Sequence, residues 1–123
     1  MERFFLALAD GTRLRLLNLM GEHEICVCFF VLVLGQSQPK ISRHLAYLRR
    51  AEMVTARREG KWMHYRITMP PNEGAAKVLQ QTLAWLKEDA AMQQDWTRLR
   101  RACCSPAKFV ALAGAPAPSV VSG

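Results

Sequence analysis

The sequence predicts a mainly α-helical fold carrying one small β-hairpin, and three stretches predict it. In residues 39–50, Ile41, Leu45 and Leu48 recur at spacings of four and three, one apolar helical stripe. Lys40, Arg43, His44, Tyr47 and Arg50 occupy the opposite face. Directly afterwards, residues 54–58 and 62–67 are β-branched, aromatic and Arg-rich runs separated by Glu59-Gly60-Lys61, the pattern of a hairpin. Residues 73–102 contain no proline, and no glycine after Gly74, and read as one long helix.

Taken in order, residues 1–9 form a first helix closed by Asp10-Gly11. Residues 12–20 form a second, with Leu14, Leu16 and Leu17 facing inward, and 21–24 are a break. Residues 25–34 are almost wholly apolar, so their pattern alone suits a buried strand as well as a helix. Ser37 and Gln38 stand at the start of the amphipathic helix, and Pro39 fits its first turn, where a missing N–H needs no partner. Pro70-Pro71-Asn72 ends the hairpin region. The long helix carries Leu79, Leu83, Leu86 and Ala90, then Met92, Trp96, Leu99 and Cys103, two stripes rotated by about 200°. One stripe is expected to pack on its own domain and the other on a second chain, through Trp96 or Leu83. The competing arrangement is a kinked helix folded on its own core. Residues 1–104 make one domain; 105–123, Pro-, Ala-, Gly- and Ser-rich with a single charge at Lys108, are expected to be a disordered tail.

Charge points to a partner. Between residues 36 and 66 there are eight Lys and Arg against only Glu52 and Glu59, so about six of the net charge of +7 lie on the helix and hairpin. Duplex DNA rewards such clustering through release of its counterions.

At these residues the chain resembles a known family. QPKISRHLAYLRRAEMV followed by RREGKWMHYRI is similar to the winged helix-turn-helix of the ArsR/SmtB group of bacterial metal- and metalloid-responsive repressors. LALADGTRLRLLNLM, with its Asp-x-x-Arg step at Asp10 and Arg13, resembles that group's first two helices. GEHEICVCFF resembles the Cys-Val-Cys signature of its arsenic-responsive branch, with Phe29 in place of an acidic residue and Val31 where some arsenic sensors have a third cysteine. The likeness covers roughly residues 4–67. It implies that 25–34 is helical, and that the protein is a dimeric repressor, joined through its terminal helices, which leaves operator DNA when an inducer binds its cysteines. On that reading Ser37 and Gln38 contact the DNA backbone, while Lys40, Ser42, Arg43, His44 and Tyr47 face the major groove. Arg57, Arg58 and Lys61 on the wing hold phosphates or the minor groove.

The four cysteines come as Cys26-Val27-Cys28 and Cys103-Cys104. No run reaches transmembrane length and residues 1–10 lack a signal-peptide cleavage pattern, so a cytoplasmic protein with reduced thiols is expected, touching no membrane. In a straight helix Cys26 and Cys28 diverge; only an extended or just-starting segment aims both sulfurs to one side. Cys103 and Cys104 sit among Arg98, Arg100 and Arg101, which favour thiolates, and before Pro106; Cys103 also continues an apolar stripe. The terminal pair is the first candidate and the upstream pair the second. Soft thiolates select soft ions. Trivalent arsenic makes three bonds, so arsenite suits three thiolates and an organoarsenical such as methylarsenite suits two; trivalent antimony has the same chemistry. One pair borrowing a third sulfur from the other would restore a site for arsenite.

Zinc fits less well. Residues 73–104 contain no histidine; His44 and His64 lie in the DNA-reading region, and His23 with Cys26 and Cys28 makes only a partial zinc set. No phosphate loop, nucleophile elbow or acid–base cluster is present, so an enzyme is not expected. A DNA-binding protein answering to oxidation is the nearer alternative, and a thiol oxidoreductase or metal-trafficking protein the remoter one.

Overall fold

The computed structural model describes residues 1–104, and side chains through residue 102. The elements run α1 (Glu2–Leu8), α2 (Gly11–Met20), β1 (Ile25–Cys26), α3 (Val27–Leu34), α4 (Gln38–Arg50), β2 (Val54–Glu59), β3 (Trp62–Ile67), α5 (Glu73–Glu88) and α6 (Ala90–Cys104). The predicted class is the one found: helices around a small antiparallel sheet, of strand order β1-β3-β2. The tail expected at 105–123 lies outside the described residues.

Four helices start on the same chemistry. Asp10 accepts from the Arg13 N–H, Ser37 from Lys40, Asn72 from Ala75 and Asp89 from Met92, each a side-chain oxygen satisfying a backbone donor three residues on. Helix α4 ends as its apolar stripe does: the Met53 N–H reaches the Leu48 carbonyl and the Glu52 N–H that of Arg49, with Glu52 in the left-handed region at φ 61°. Ile41, Leu45 and Leu48 are fully buried, as their spacing requires. In the hairpin Glu59 pairs with Trp62, so the connection is only Gly60-Lys61, and Gly60 takes φ +60°, which costs glycine nothing.

Two expectations are corrected. Residues 25–34 are not one helix: Ile25 and Cys26 pair with Tyr65 and His64 of β3, and helix begins only at Val27, with Cys26 extended as its N-cap. The expected long helix is also two. Asp89 is extended, at ψ 130°, closing α5 and capping α6. That single non-helical residue accounts for the two displaced stripes. It folds α6 back onto α2 and α3, with Leu99 fully buried in the common core. Leu14, expected inward, is half-buried, while Leu16 and Leu17 are fully so.

Polar contacts fix how α6 lies. The Asn18 side chain donates to the Met92 carbonyl, and Arg15 grips the buried Asp95 with two hydrogen bonds of 2.7 and 2.9 Å. Arg98 also reaches Asp95, at 3.1 Å, and the Val33 carbonyl. Advancing along α6 therefore means retreating along α2: the two are antiparallel. Removing the buried Asp95 carboxylate strands two guanidinium groups at this crossing. Asp95→Ala is expected to lower unfolding free energy by about 1–3 kcal/mol, the usual loss for hydrogen bonds to charged groups, measured by urea denaturation.

Candidate DNA interface and thiol pair

The N-terminal half of α4 presents Ser37, Gln38, Lys40 and Arg43 to solvent, while Ser42, His44 and Tyr47 are half-buried. For His44 and Tyr47 the covering group is Arg13. Its Nε and one terminal nitrogen donate to the Ala7 and Leu6 carbonyls at the end of α1. Its other terminal nitrogen lies 3.4 Å from His44 Nδ1, and its guanidinium stacks 4.1 Å from the centre of the Tyr47 ring. One side chain thus ties α1, α2 and the reading helix together. With Arg13 donating, His44 Nδ1 is an acceptor and Nε2 carries the ring proton. Asp10 backs the cluster. Burial works against its carboxylate, but the Arg13 backbone N–H and the Arg13 guanidinium charge help to outweigh that and hold its pKa below the ordinary value.

The hairpin's cations differ from one another. Arg58 donates to the Gly60 carbonyl, and Lys61 lies over the Trp62 ring, 5.2 Å from its centre. Arg57 is gripped by Glu24, from outside the hairpin, with its shortest contact at 2.6 Å, and by Glu59 at 3.3 Å. These hydrogen bonds hold the Glu24 carboxyl below its usual range. Charge counting within 36–66 could not find Glu24, because the sheet brings it there. His64 is buried, with Nε2 3.3 Å from Glu59 Oε2, an ion-pair distance without hydrogen-bond alignment.

The thiols of Cys26 and Cys28 are brought together, their sulfurs 2.9 Å apart. An extended Cys26 directly before the first helical residue makes this possible: spacing two brings side chains together in strand geometry and separates them in a helix. Cys26 is fully buried, Cys28 partly exposed. The hydrogen bond shared with Cys28, aided by the backbone N–H groups of Cys28 and Val27, draws the Cys26 pKa below the ordinary thiol value despite burial. The same bond and burial push the Cys28 thiol up. Among the described residues no three His, Cys, Asp or Glu form a metal-holding group, so His23 does not complete a zinc set with this pair. The side chains of Cys103 and Cys104 lie outside the described residues. The expected sharing of a sulfur between the two pairs therefore also lies outside the described residues.

Comparison with known proteins decides the family. Residues 10–56 match the model described as bacterial regulatory protein, arsR family. The chain is 43% identical over 104 residues to the arsenical resistance operon repressor of Escherichia coli, covering 84% of this chain and 87% of that one. The chain belongs to the arsR family. It is a transcriptional regulator and not an enzyme. Solved structures agree. A homodimeric winged helix-turn-helix DNA-binding domain from Mycobacterium bovis, described as a possible ArsR-family regulator, superposes with a TM-score of 0.57 at 31% identity, over 71% of this chain and 78% of that one. The AntR antimony-specific transcriptional repressor does so at 0.54 and 30%, over 69% and 75%. Within this arsR-family fold, α3 and α4 are the helix-turn-helix and β2–β3 the wing. No helix among the described residues is long and apolar enough to cross a membrane.

The thiol geometry carries a direct consequence. In a background lacking Cys103 and Cys104, Cys28→Ala should raise the Cys26 titration midpoint toward that of an ordinary thiol, read from thiolate ultraviolet absorbance. An unchanged midpoint would contradict the coupling of the two thiols.

Proposed function

We propose that this protein is a homodimeric repressor of arsenical-resistance genes that leaves its operator when trivalent arsenic binds cysteine thiolates. The observation that carries this reading is the Cys26–Cys28 contact at the head of the helix-turn-helix, on a strand bonded to the wing. Support comes from the E. coli relative, an arsenical resistance operon repressor, and from the AntR neighbour, an antimony-specific repressor. Two thiolates complete the coordination of a methylated or aryl arsenical, so methylarsenite should induce at least as well as arsenite, with trivalent antimony a further inducer. The terminal pair, Cys103 and Cys104, is the alternative holder.

Lys40 and Arg43 are the exposed cations of the reading helix, with Ser37 and Gln38 at its start and Ser42 beside them. His44 offers its Nε2 proton to the groove, and Tyr47 supports the helix under Arg13. Arg57, Arg58 and Lys61 meet phosphates from the wing. Arg43→Ala should weaken operator binding by about 1–3 kcal/mol and relax sequence preference, whereas Lys61→Ala should weaken all duplexes alike and flatten the salt dependence. Fluorescence anisotropy on operator and scrambled duplexes separates them. In the same assay Cys26→Ser/Cys28→Ser should repress yet ignore methylarsenite, while the wild type loses roughly 5–150-fold in affinity. A blind Cys103→Ser/Cys104→Ser protein and a responsive Cys26→Ser/Cys28→Ser protein would move the sensor to the terminal pair.

Dimerisation is assigned to α1 and α5, where Phe5, Leu6 and Val78 are exposed and Trp85 is 74% exposed. An apolar face of this kind on terminal helices suits a second copy of the chain, and the Mycobacterium bovis neighbour is homodimeric. Trp96, the earlier candidate, is half-buried on α6 under Arg100, and Leu83 is half-buried against the core. Trp85→Asp would bury an uncompensated charge in the interface and should yield monomers by sedimentation, with Trp96→Asp less disruptive to assembly.

A further inference from the structure

Arg57 is the wing cation held by carboxylates through its Nε and both terminal nitrogens. Its Nε lies 3.1 and 3.2 Å from the two Glu24 oxygens, one terminal nitrogen 2.6 Å from Glu24 Oε1, and the other 3.3 Å from Glu59 Oε2. Arg58 and Lys61 meet a carbonyl and a ring instead. A phosphate offers a guanidinium the same paired oxygens as a carboxylate. Arg57 cannot give the same N–H groups to both, so a wing that grips a phosphate with the paired Nε edge of Arg57 must first surrender Glu24. Half of the Arg57 side chain remains exposed, and exposed ion pairs are weak, so the exchange is close to balanced.

Glu24 does not belong to the wing. It immediately precedes β1, two residues before Cys26, and β1 is bonded to β3 through the pairs Ile25–Tyr65 and Cys26–His64. A ligand bonded to both sulfurs, now 2.9 Å apart, has to shift at least one of them, and a shift of Cys26 moves the strand on which Glu24 is carried. We propose that Glu24 is an intramolecular substitute for a DNA phosphate on Arg57, and that through it the thiol-bearing strand controls the wing's hold on DNA. The inference rests on the proposed roles of the wing and of Cys26–Cys28. It assigns Glu24 as the residue that positions Arg57 and relays occupancy of the thiols.

The test uses the full-length protein with Cys103→Ser/Cys104→Ser, so that only Cys26 and Cys28 report. Binding to a mixed-sequence duplex is followed by anisotropy over a salt series for the parent, Glu24→Gln, Arg57→Ala and the double variant. Glu24→Gln is expected to bind about 3–10-fold tighter, with a log–log salt slope steeper by about 0.9 for each phosphate gained. In the Arg57→Ala background the same change should add little. Glu24→Ala serves as a second variant, and circular dichroism verifies folding. No tightening, or equal tightening without Arg57, overturns the competition. Methylarsenite is then added, with thiol occupancy measured by protection from a thiol reagent. At equal occupancy the parent should release more duplex than Glu24→Gln, and equal release overturns the relay. Failure of methylarsenite to protect Cys26 and Cys28 would overturn the thiol reading and the relay with it, while the salt series would still decide the competition for Arg57.

Discussion

Cys26 holds two positions at once. It is the last residue of a two-residue strand hydrogen-bonded to the wing, and the extended N-cap from which α3, the first helix of the helix-turn-helix, departs. Its backbone must be extended to pair with His64, and the same extended geometry turns its sulfur toward that of Cys28. A fully helical backbone here would separate the thiols and detach β1 from the sheet. The contact between thiols, the three-stranded sheet and the start of the helix-turn-helix therefore depend on one residue's conformation.

Electrostatics divides the cations into two groups. Arg13, Arg15 and Arg57 are each held by protein groups brought from a distance: α1 carbonyls with Tyr47, Asp95 of α6, and Glu24. Arg13 and Arg15 join helices. Lys40 and Arg43 remain on the exposed face of α4, whose apolar side is fully buried. Rigid seating of the reading helix and open display of its cations thus come from opposite faces of one amphipathic element. DNA gains a pre-positioned surface, and the ordering cost is met during folding.

Those features were legible in the sequence to different degrees, for physical reasons. The reading helix and hairpin were legible because a strict apolar period and a glycine turn act locally. Residues 25–34 were not, since an apolar run with no period does not distinguish strand from helix, and its division at Cys26 is decided by β3, some forty residues away. Asp89 hid its break because neither proline nor glycine marks it. Its capping role and the displaced stripes were the available signals, and they indicate the kinked arrangement. That Trp85 is exposed on α5 while Trp96 is half-buried on α6 depends on the direction of α6, which no local pattern states. The roles of Arg13 and Glu24 depend on partners from other elements, which no local pattern names.

Amide hydrogen exchange with and without methylarsenite tests the proposed action of the thiol pair on DNA through β1. Strand pairing protects amides, so disturbance of β1 must register on both strands it joins. The account predicts that methylarsenite changes exchange in residues 24–28 and, across the sheet, in 62–66, while α5 is unaffected. Exchange altered only toward the end of α6, with β1 and β3 unchanged, would contradict it.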